Sequence, residues 1–364
     1  APDTGSVLRC DLDESNLEIV ATGLRNPQEL AFDKYGNLFT GDNNSDGGDR
    51  ARWVYIVEGG DSGWRIGYQF LKLPIARGPW RAERMCEPVS PGQPAYILPP
   101  IINIADGPSG LTYYPGTGLP KEFDHHFFLA DFRGGPANSG IRSFSVKPKG
   151  ATFELINSKQ FLWSTLVTDV DFGYDGHMYY TDWTNGWRAP GKGRLYRVTH
   201  PKASKDPLVK EVKELFANGI HKLPSKKLVA LLSHQDMRVR QEAQFSLAER
   251  KKESIDALTT VAKSSSNQLA RLHAIWGLGQ IGRSHREAYS PLTALLKDQD
   301  EQVRSQSAKV LGDGKVTAAR KSLEECLEDD SARVRFFATM SIGKLGDNES
   351  IHAVRSMIHR TAAT

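Results

Sequence analysis

An acidic, glycine-rich stretch near the start of the chain carries the residue types most suited to binding a metal ion. It reads DNNSDGGD and spans residues 42–49. Calcium prefers carboxylate and amide oxygens on a flexible loop, and the side chains that offer them here are Asp42, Asn43, Asn44, Asp46 and Asp49. Their spacing differs from that of a helix–loop–helix calcium site, which ends on a glutamate. The same residue types also favour a plain surface turn, so a calcium site and a structural turn both remain open.

Carboxylates near strand ends are the next candidates, because they can take a proton from a substrate. Asp131, Asp169 and Asp182 each stand near the end of a predicted strand. Aspartates in such places more commonly accept hydrogen bonds from nearby backbone N–H groups, and we favour that structural interpretation for all three. The sequence alone therefore names no general base.

These residues lie in a segment that repeats a short hairpin. AFDKYGNLFTGDN at residues 31–43 aligns with DFGYDGHMYYTDW at residues 171–183. Each copy has two short apolar strands and a turn whose glycine supplies a positive φ. A looser copy begins at residue 107, and every copy is followed by one or two further alternating strands. Repeated units of about four strands predict an all-β propeller.

The repeat accounts for about three to four blades, whereas a closed propeller typically has about 4–8. The sequence therefore predicts an incomplete propeller. It is expected to be a fragment of a longer protein, to pair with another copy, or to depart from propeller closure. We interpret the tryptophans of this segment as packing between blades rather than as a surface on which a substrate stacks. They are Trp53, Trp64, Trp183 and Trp187.

The second half of the chain has the 3.6-residue apolar periodicity of amphipathic helices. Four of its segments align, and each has an arginine after a small or branched apolar residue: Arg240, Arg271, Arg304 and Arg335. We interpret these arginines as structural, each bound to an acidic residue or a carbonyl group of the neighbouring repeat. The residues expected to cap the aligned helices are Asp236, Asn267, Asp300 and Asp330. The pattern predicts an all-α, HEAT-like solenoid.

Composition divides the chain at the same place. Residues 1–200 contain 20 lysines and arginines against 23 aspartates and glutamates, so the overall net charge of +4 conceals a basic second half. We predict blades of a propeller over residues 1–200, a linker over 201–206 and a solenoid over 207–364. The basic residues are not interleaved with aromatic residues, so the sequence predicts no nucleic-acid partner.

Other classes are excluded by missing patterns. No apolar run approaches the ~18 residues of a membrane-spanning helix, and no CxxCH motif for attaching haem is present. The first residues, APDTGSVLRC, have neither the basic nor the apolar region of a signal peptide. A signal peptide is therefore expected to be absent or already removed.

The order of three motifs resembles that of the soluble PQQ-dependent sugar dehydrogenases of the glucose/sorbosone dehydrogenase family. The motifs are RNPQ at residues 25–28, the acidic loop at 42–49, and GGDSGW at 59–64. Over nearly its whole length the chain also resembles a bacterial family of membrane-bound dehydrogenases. FFLADFRGGPANSGIRSFSVKPKG, TDVDFGYDGHMYYTDW and the helical repeats carry this resemblance. In that family a propeller precedes HEAT repeats and often a C-terminal cytochrome c-type domain.

The resemblance implies a site for the quinone PQQ and a calcium ion. The residues that it assigns to the quinone are Arg25, Asn26, Gln28 and Arg133. Those that it places in the calcium loop are Asp42, Asn43 and Asn44. Two elements of the sugar dehydrogenases have no counterpart here. The pair of quinone-binding arginines on the last blade is replaced by Leu-Val-Thr-Asp at residues 166–169, and the early blade that carries the general-base histidine is missing.

Two functions of different classes follow. In the first, the propeller is the catalytic part of a PQQ- and calcium-dependent dehydrogenase of sugars or alcohols, and the HEAT repeats dock a protein partner or an electron acceptor. In the second, the chain is a non-catalytic scaffold that recognises a carbohydrate or a protein. The RNPQ motif favours the enzyme, the missing arginine pair favours the scaffold, and a non-functional truncation is a third outcome. The resemblance further implies an exported, periplasmic or extracytoplasmic protein.

Overall fold

A computed structural model describes residues 5–44, 50–64, 98–188, 191–346 and 351–362. The chain divides into two compact units. The first, here called the β unit, consists of Ala1–Tyr114 and Gly118–Asp206, and the second, the helical unit, consists of Pro115–Thr117 and Pro207–Thr364. Residues 201–206, which the sequence analysis takes as a linker, lie at the end of the β unit.

Antiparallel sheets make up the described part of the β unit. Its strands are β1 (Val7–Arg9), β2 (Glu18–Thr22), β3 (Pro27–Phe32), β4 (Leu38–Asp42), β5 (Arg52–Tyr55), β6 (Gly60–Asp61), β7 (Ile102–Asn103), β8 (Pro108–Tyr113), β9 (His126–Asp131), β10 (Gly140–Lys149), β11 (Thr152–Trp163), β12 (Val167–Phe172), β13 (Met178–Asp182) and β14 (Arg194–Val198). Only β2 and β6 pair in parallel, over two residues of each strand.

The sheets have the strand order of propeller blades. Two four-stranded sheets run β3-β4-β5-β7 and β8-β9-β10-β11, so each neighbour in the sheet is the next described strand in the chain, apart from β6. A third sheet runs β12-β13-β14, and the fourth joins the hairpin β1-β2 to β6. Together with the helical unit, these sheets confirm the predicted fold class, an all-β region of blade-like sheets followed by an all-α HEAT-like solenoid.

The repeated hairpin forms as predicted. Gly36 and Gly176 both adopt left-handed backbone angles, with φ of 74° and 75°. In each copy the glycine N–H donates to the carbonyl oxygen three residues earlier, at 3.1 Å for Gly36 and 3.2 Å for Gly176. Glycine reaches this conformation without the steric cost of a Cβ atom. The 140-residue sequence repeat is therefore also a structural repeat, which places Asp42 and Asp182 at matching strand ends.

Aromatic side chains fill the interior between the first two four-stranded sheets. Phe39 stacks on Trp53 with 5.5 Å between ring centroids. Phe127 meets Trp53 edge-on at 5.1 Å, and Phe144 does so at 4.8 Å. Burying each such ring stabilises the fold by roughly 1.5–3 kcal/mol. Trp53 is thus a core residue, in agreement with the packing interpretation.

The helical unit is built from short helices joined by tight turns. Its α-helices are α1 (Pro207–Asn218), α2 (Ser225–Leu231), α3 (Met237–Glu249), α4 (Ile255–Ser264), α5 (Gln268–Gly282), α6 (Ser290–Leu295), α7 (Glu301–Asp313), α8 (Arg320–Glu325), α9 (Ala332–Leu345) and α10 (Ile351–Ala362). The four aligned segments form α3, α5, α7 and α9, which pack side by side in chain order. Within the described residues, no helix is long and apolar enough to cross a membrane.

Side-chain caps begin three of the aligned helices as predicted. Asp236 accepts a hydrogen bond from the backbone N–H of Arg238, Asn267 from that of Ala270, and Asp300 from that of Gln302. The prediction for α9 is wrong by one residue, because the N-cap of that helix is Ser331 and not Asp330. Asp330 precedes the cap, whereas Asp329 accepts the Ser331 N–H at 2.8 Å.

Arg271 and Arg304 each bind an aspartate of the next repeat, as predicted, and Arg304 and Arg335 also bind carbonyl groups of the turn before their own helix. Arg304 donates to the carboxylate of Asp329 from Nε at 2.7 Å and to the carbonyl oxygen of Asp298 from Nη1 at 2.8 Å. Arg271 pairs with Asp298 in the same direction. Arg335 donates to the carbonyl oxygen of Asp329 at 2.6 Å. These bonds satisfy carbonyl groups in the inter-helix turns, so the arginines serve the solenoid and not a ligand.

Candidate functional site

The carboxylate of Asp42, at the end of β4, is enclosed by hydrogen-bond donors. The backbone N–H of Arg25 donates to both of its oxygens, at 3.0 and 3.1 Å, and the N–H of Asn26 donates to Oδ1 at 2.8 Å. The guanidinium group of Arg52, on β5, forms an ion pair with Oδ2. Asp42 is fully buried and Arg52 almost so. The carboxylate therefore ties the start of β3 and the start of β5 to the end of β4.

The same arrangement recurs in the two later sheets. Asp131, at the end of β9, accepts the N–H of Asp106 at 2.9 Å and the Nε of Arg142 at 2.7 Å. Asp182, at the end of β13, accepts the N–H of Leu166 at 3.0 Å and pairs with Arg194 at 3.4 Å. The structural interpretation of these two aspartates is correct, because each one caps backbone at a strand end.

Of the residues assigned to the quinone, Arg25 and Asn26 lie at the Asp42 cap and Arg133 lies at the Asp131 cap. Arg25 and Asn26 contribute their backbone N–H groups to Asp42. Gln28 is exposed on β3. Arg133 follows β9, and its Nη2 donates to Asp131 Oδ2 at 3.1 Å. This bond raises the pKa of Arg133. It also neutralises much of the positive charge that would attract a carboxylate group of the quinone.

The predicted calcium loop is described only in part. Asn43 accepts the backbone N–H of Asn44 at 2.9 Å, and the side-chain amide of Asn44 donates to Asp106. Asp46 and Asp49 lie outside the described residues. Asp42 accepts three hydrogen bonds from two backbone N–H groups and pairs with a buried arginine, which weighs against it as a side-chain ligand of calcium. Among the residues described, no group of three or more His, Cys, Asp or Glu could hold a metal ion.

A second set of carboxylate side chains lies where the first strands of three successive sheets meet. β3, β8 and β12 lie side by side. Glu29, on β3, accepts a hydrogen bond from the backbone N–H of Leu111 on β8, and the negative charge of Asp169 on β12 lies near its carboxyl group. β8 and β12 approach closely at Gly110, where a Cβ atom would lie 2.5 Å from the Cα of Asp169.

Glu29 is a carboxyl group whose pKa lies close to neutrality. Burial, followed by the negative charges of Asp169 and Asp171, raises its pKa from 4.5 to about 7, against the opposing hydrogen bond from Leu111. A neighbouring negative charge disfavours the ionised form of a carboxyl group. A group with a pKa near neutrality can both take up and release a proton at the working pH. Glu29 therefore has the chemistry of a general base.

Sequence reasoning found Asp169 and missed Glu29. Asp169 was recognised as a carboxylate near a strand end, although it was interpreted as a cap. Glu29 was passed over because it stands inside the RNPQ-type strand, between the exposed Gln28 and Leu30. A charged residue within an otherwise apolar strand was the available signal, since such residues are rarely buried without a partner.

The tryptophans of the β unit divide into two groups. Trp53 and Trp64 are buried, and the guanidinium group of Arg52 lies 5.5 Å from the Trp64 ring. Trp187, by contrast, is 74% exposed. Trp187 nevertheless packs edge-on against Phe132 and Trp183, so it has packing contacts on a ring that is mostly exposed.

Comparison with known proteins gives a family for the helical unit alone. Its sequence matches the HEAT repeats over residues 225–306 and 289–363. No curated protein matches the chain in sequence.

Solved structures resemble each part of the chain at low identity. The soluble aldose sugar dehydrogenase of Escherichia coli, in its apo-form, is 18% identical over 51% of this chain and 48% of its own, with a TM-score of 0.34. The PQQ-bound aldose sugar dehydrogenase of Streptomyces coelicolor is 20% identical over 54% and 48%, with a TM-score of 0.32. The complex of CpcE and CpcF of phycocyanin lyase from Nostoc sp. PCC7120 is 20% identical over 37% and 57%, with a TM-score of 0.31. The chain spans about half the length of these structures.

Proposed function

We propose that the β unit is part of a dehydrogenase of sugars or alcohols in which Glu29 takes up the hydroxyl proton of the substrate. The observation that carries this proposal is the position of Glu29, half-buried on β3 near the negative charge of Asp169 on β12, with its pKa raised to about 7. Half-burial leaves the carboxyl group within reach of a substrate, and a pKa near neutrality allows it to accept a proton.

Each residue near Glu29 has a defined task. The backbone N–H of Leu111 holds the Glu29 carboxyl group in place. Thr112 donates to Asp171 at 3.0 Å, which fixes the second carboxylate of β12. Asp169 Oδ1 accepts the N–H of Val170 at 2.7 Å. These bonds, from β8 and β12, hold the carboxyl groups of Glu29, Asp169 and Asp171 in place.

PQQ with calcium would supply the hydride acceptor of such a reaction. In this proposal Arg25, Asn26 and Gln28 contact the quinone, and Asn43 and Asn44 contribute oxygens to calcium with the loop at residues 45–49. Asp42 and Arg133 fit these roles poorly, because their charged groups are bound within the sheets. The support comes from the sequence motifs and from Gln28, which is exposed next to Glu29.

The proposal is tested by the variant Glu29→Gln. The protein is supplied with PQQ and calcium, and dye reduction is followed with a panel of aldoses and alcohols between pH 5 and pH 9. Removal of a general base lowers kcat by roughly 10²–10⁴-fold, and the limb of the pH profile near pH 7 should disappear. Glu122→Gln is the matched control, because Glu122 is exposed and binds only Lys159 at 3.4 Å. Equal rates for Glu29→Gln and wild type would refute the proposed role.

A non-catalytic scaffold is the second candidate. It is favoured by the inward ion pairs of Asp42 and Arg133, which leave the predicted cofactor residues engaged. In this case the β unit recognises a carbohydrate or protein, while the HEAT repeats bind a protein partner. A melting curve that is unchanged by PQQ, calcium or chelator would support it, since a ligand at a hundred times its Kd raises stability by roughly 3 kcal/mol. An extracytoplasmic location belongs to both candidates.

A further inference from the structure

Three aromatic side chains gather where β9 and β13 end. Phe132 stacks on Trp183 with 5.9 Å between ring centroids and an interplanar angle of 20°. Trp187 meets both rings edge-on, at 5.8 Å from Phe132 and 5.1 Å from Trp183. Phe132 and Trp183 are half-buried, whereas Trp187 is largely exposed. We call these three residues the aromatic platform.

The loop around Trp187 is shaped by two glycines. Gly134 and Gly186 both have positive φ, at 75° and 52°. A Cβ atom on Gly134 would lie 3.0 Å from Nε1 of Trp187, and one on Gly186 would lie 2.9 Å from the carbonyl oxygen of Gly134. The loops after β9 and β13 therefore pack closely only because both positions lack a side chain. Trp187 is held at its edge while much of its surface remains in solvent.

The same loop is fixed by backbone hydrogen bonds. The N–H of Trp183 donates to the carbonyl oxygen of Leu166 at 3.0 Å, and that of Gly186 donates to Trp183 at 2.9 Å. Asn185, between them, adopts the left-handed conformation and is exposed. An exposed tryptophan on a backbone so well determined costs little further entropy when it binds a ligand.

Polar groups surround the platform. Asn185 and Arg188 are exposed on either side of Trp187 in the chain. Arg133 directly follows Phe132 and keeps part of its guanidinium group accessible beside Asp131. Planar amide and guanidinium groups form paired, directional hydrogen bonds. An apolar ring face bordered by such groups matches a sugar ring, which has an apolar C–H face and a rim of hydroxyl groups.

We propose that the aromatic platform binds a sugar ring of a carbohydrate chain, with the ring stacked on Trp187. The openness of the platform argues for a chain. Pockets for small ligands enclose most of the ligand surface, whereas Trp187 offers contact on one side only. Such contacts are weak singly and become effective when several linked rings bind together. This inference rests on the proposed dehydrogenase function. It specifies that the substrate of that reaction is an oligosaccharide or polysaccharide and not a free monosaccharide.

The test compares chains with single sugars, in the absence of PQQ. Glucose, xylose and N-acetylglucosamine are titrated beside cellotetraose, maltotetraose, xylotetraose and chitotetraose, by calorimetry and by tryptophan fluorescence. We expect at least one tetrasaccharide to bind ten-fold or more tightly than its monosaccharide. Trp187→Ala should remove that difference, and Trp187→Tyr should retain part of it. If no carbohydrate binds, or if Trp187→Ala binds as wild type does, the proposal is overturned.

Tyr174→Ala is the matched control. Tyr174 is 48% exposed and lies in the turn at the opposite end of the β12–β13 hairpin, so its removal should leave carbohydrate affinity unchanged. Equal loss of affinity in both variants would overturn the proposal. Glu29→Gln separates the two inferences, because it should abolish proton transfer and leave tetrasaccharide affinity intact. Carbohydrate binding without any dehydrogenase activity would support the aromatic platform and contradict the proposed dehydrogenase function.

Discussion

Burial decides how much each of the repeated Asp–Arg pairs contributes to stability. Arg52 is 2% exposed beside a fully buried Asp42, whereas the side chain of Arg194 is 57% exposed beside Asp182. The chemistry of the two pairs is the same, but water screens only the second. Removal of one partner from a buried pair leaves a charge without compensation, whereas exposed pairs contribute little.

We therefore expect Arg52→Met to lower the free energy of unfolding by about 3–5 kcal/mol. The matched variant Arg194→Met should cost about 1 kcal/mol or less. Urea denaturation followed by circular dichroism and tryptophan fluorescence measures both. Equal costs would show that burial does not govern these pairs. A gain in stability for Arg52→Met on adding calcium would show that Asp42 accepts a cation once its arginine is removed.

At the scale of single residues, the sequence predicts some roles correctly and misses others. The structural interpretation is correct for Asp131 and Asp182, because the turn chemistry that surrounds them is local. The environments of Glu29 and Asp169 and the exposure of Trp187 were missed, because they depend on what the fold brings near these residues. Glu29 on β3 and Asp169 on β12 are brought together because both strands lie beside β8. The position of Trp187 depends on Gly134, which is 53 positions away in the chain. No pattern within a short window contains either relation.

At the scale of elements, two glycines of the helical unit have opposite consequences. Gly312, in α7, faces Ser341 of α9, and a Cβ atom there would lie 2.5 Å from the Cα of Ser341. The hydroxyl group of Ser341 bridges the same helices by donating to the carbonyl oxygen of Ala308 at 2.7 Å. Gly343, also in α9, has open space where a Cβ atom would be. The first glycine allows close packing, and the second only weakens its helix.

Gly312→Ala should accordingly lower the free energy of unfolding by about 1–3 kcal/mol, since the added methyl group overpacks the contact. Gly343→Ala should raise it by about 0.5–1 kcal/mol, because alanine is the better helix former. Thermal and urea melts of the two variants measure the difference. Stabilisation by both substitutions would contradict the close contact of α7 with α9.

Helices and hairpins were predictable because their signals are local and periodic. The arginine positions and three of the four caps followed from the aligned segments, and the hairpin followed from its glycine turn. The cap of α9 was missed by one residue, because Asp330 and Ser331 are both good capping residues and only backbone geometry chooses between them. Which strand of one sheet lies against which strand of the next was not available from the sequence.

At the scale of the whole molecule, the contact between β3, β8 and β12 makes stability depend on pH. The pKa of Glu29 is raised from 4.5 to about 7 in the folded chain, so between these values the native state binds more protons than the unfolded state. Stability from this group is therefore present below pH 4.5 and is lost as pH rises towards 7. Asp169 and Asp171 face the group from β12, and Leu111 faces it from β8.

Glu29→Gln cannot ionise and should escape this loss. We expect the melting temperature of the variant, relative to wild type, to rise between pH 5 and pH 8. Calorimetry of both proteins and of Glu122→Gln across this range provides the test. A difference between Glu29→Gln and wild type that stays constant with pH would mean that the carboxyl group titrates normally in the folded chain.

The Asp–Arg pairs also affect how easily the number of sheets can change during evolution. In three of the four described sheets, the carboxylate, its arginine and the backbone N–H that it caps come from one continuous stretch: Arg25–Arg52, Asp106–Arg142 and Leu166–Arg194. A gene segment that encodes one sheet therefore carries both charges together. Duplication or loss of that segment adds or removes a neutral pair and leaves neither charge without its partner. The number of sheets can therefore change during evolution without an electrostatic penalty.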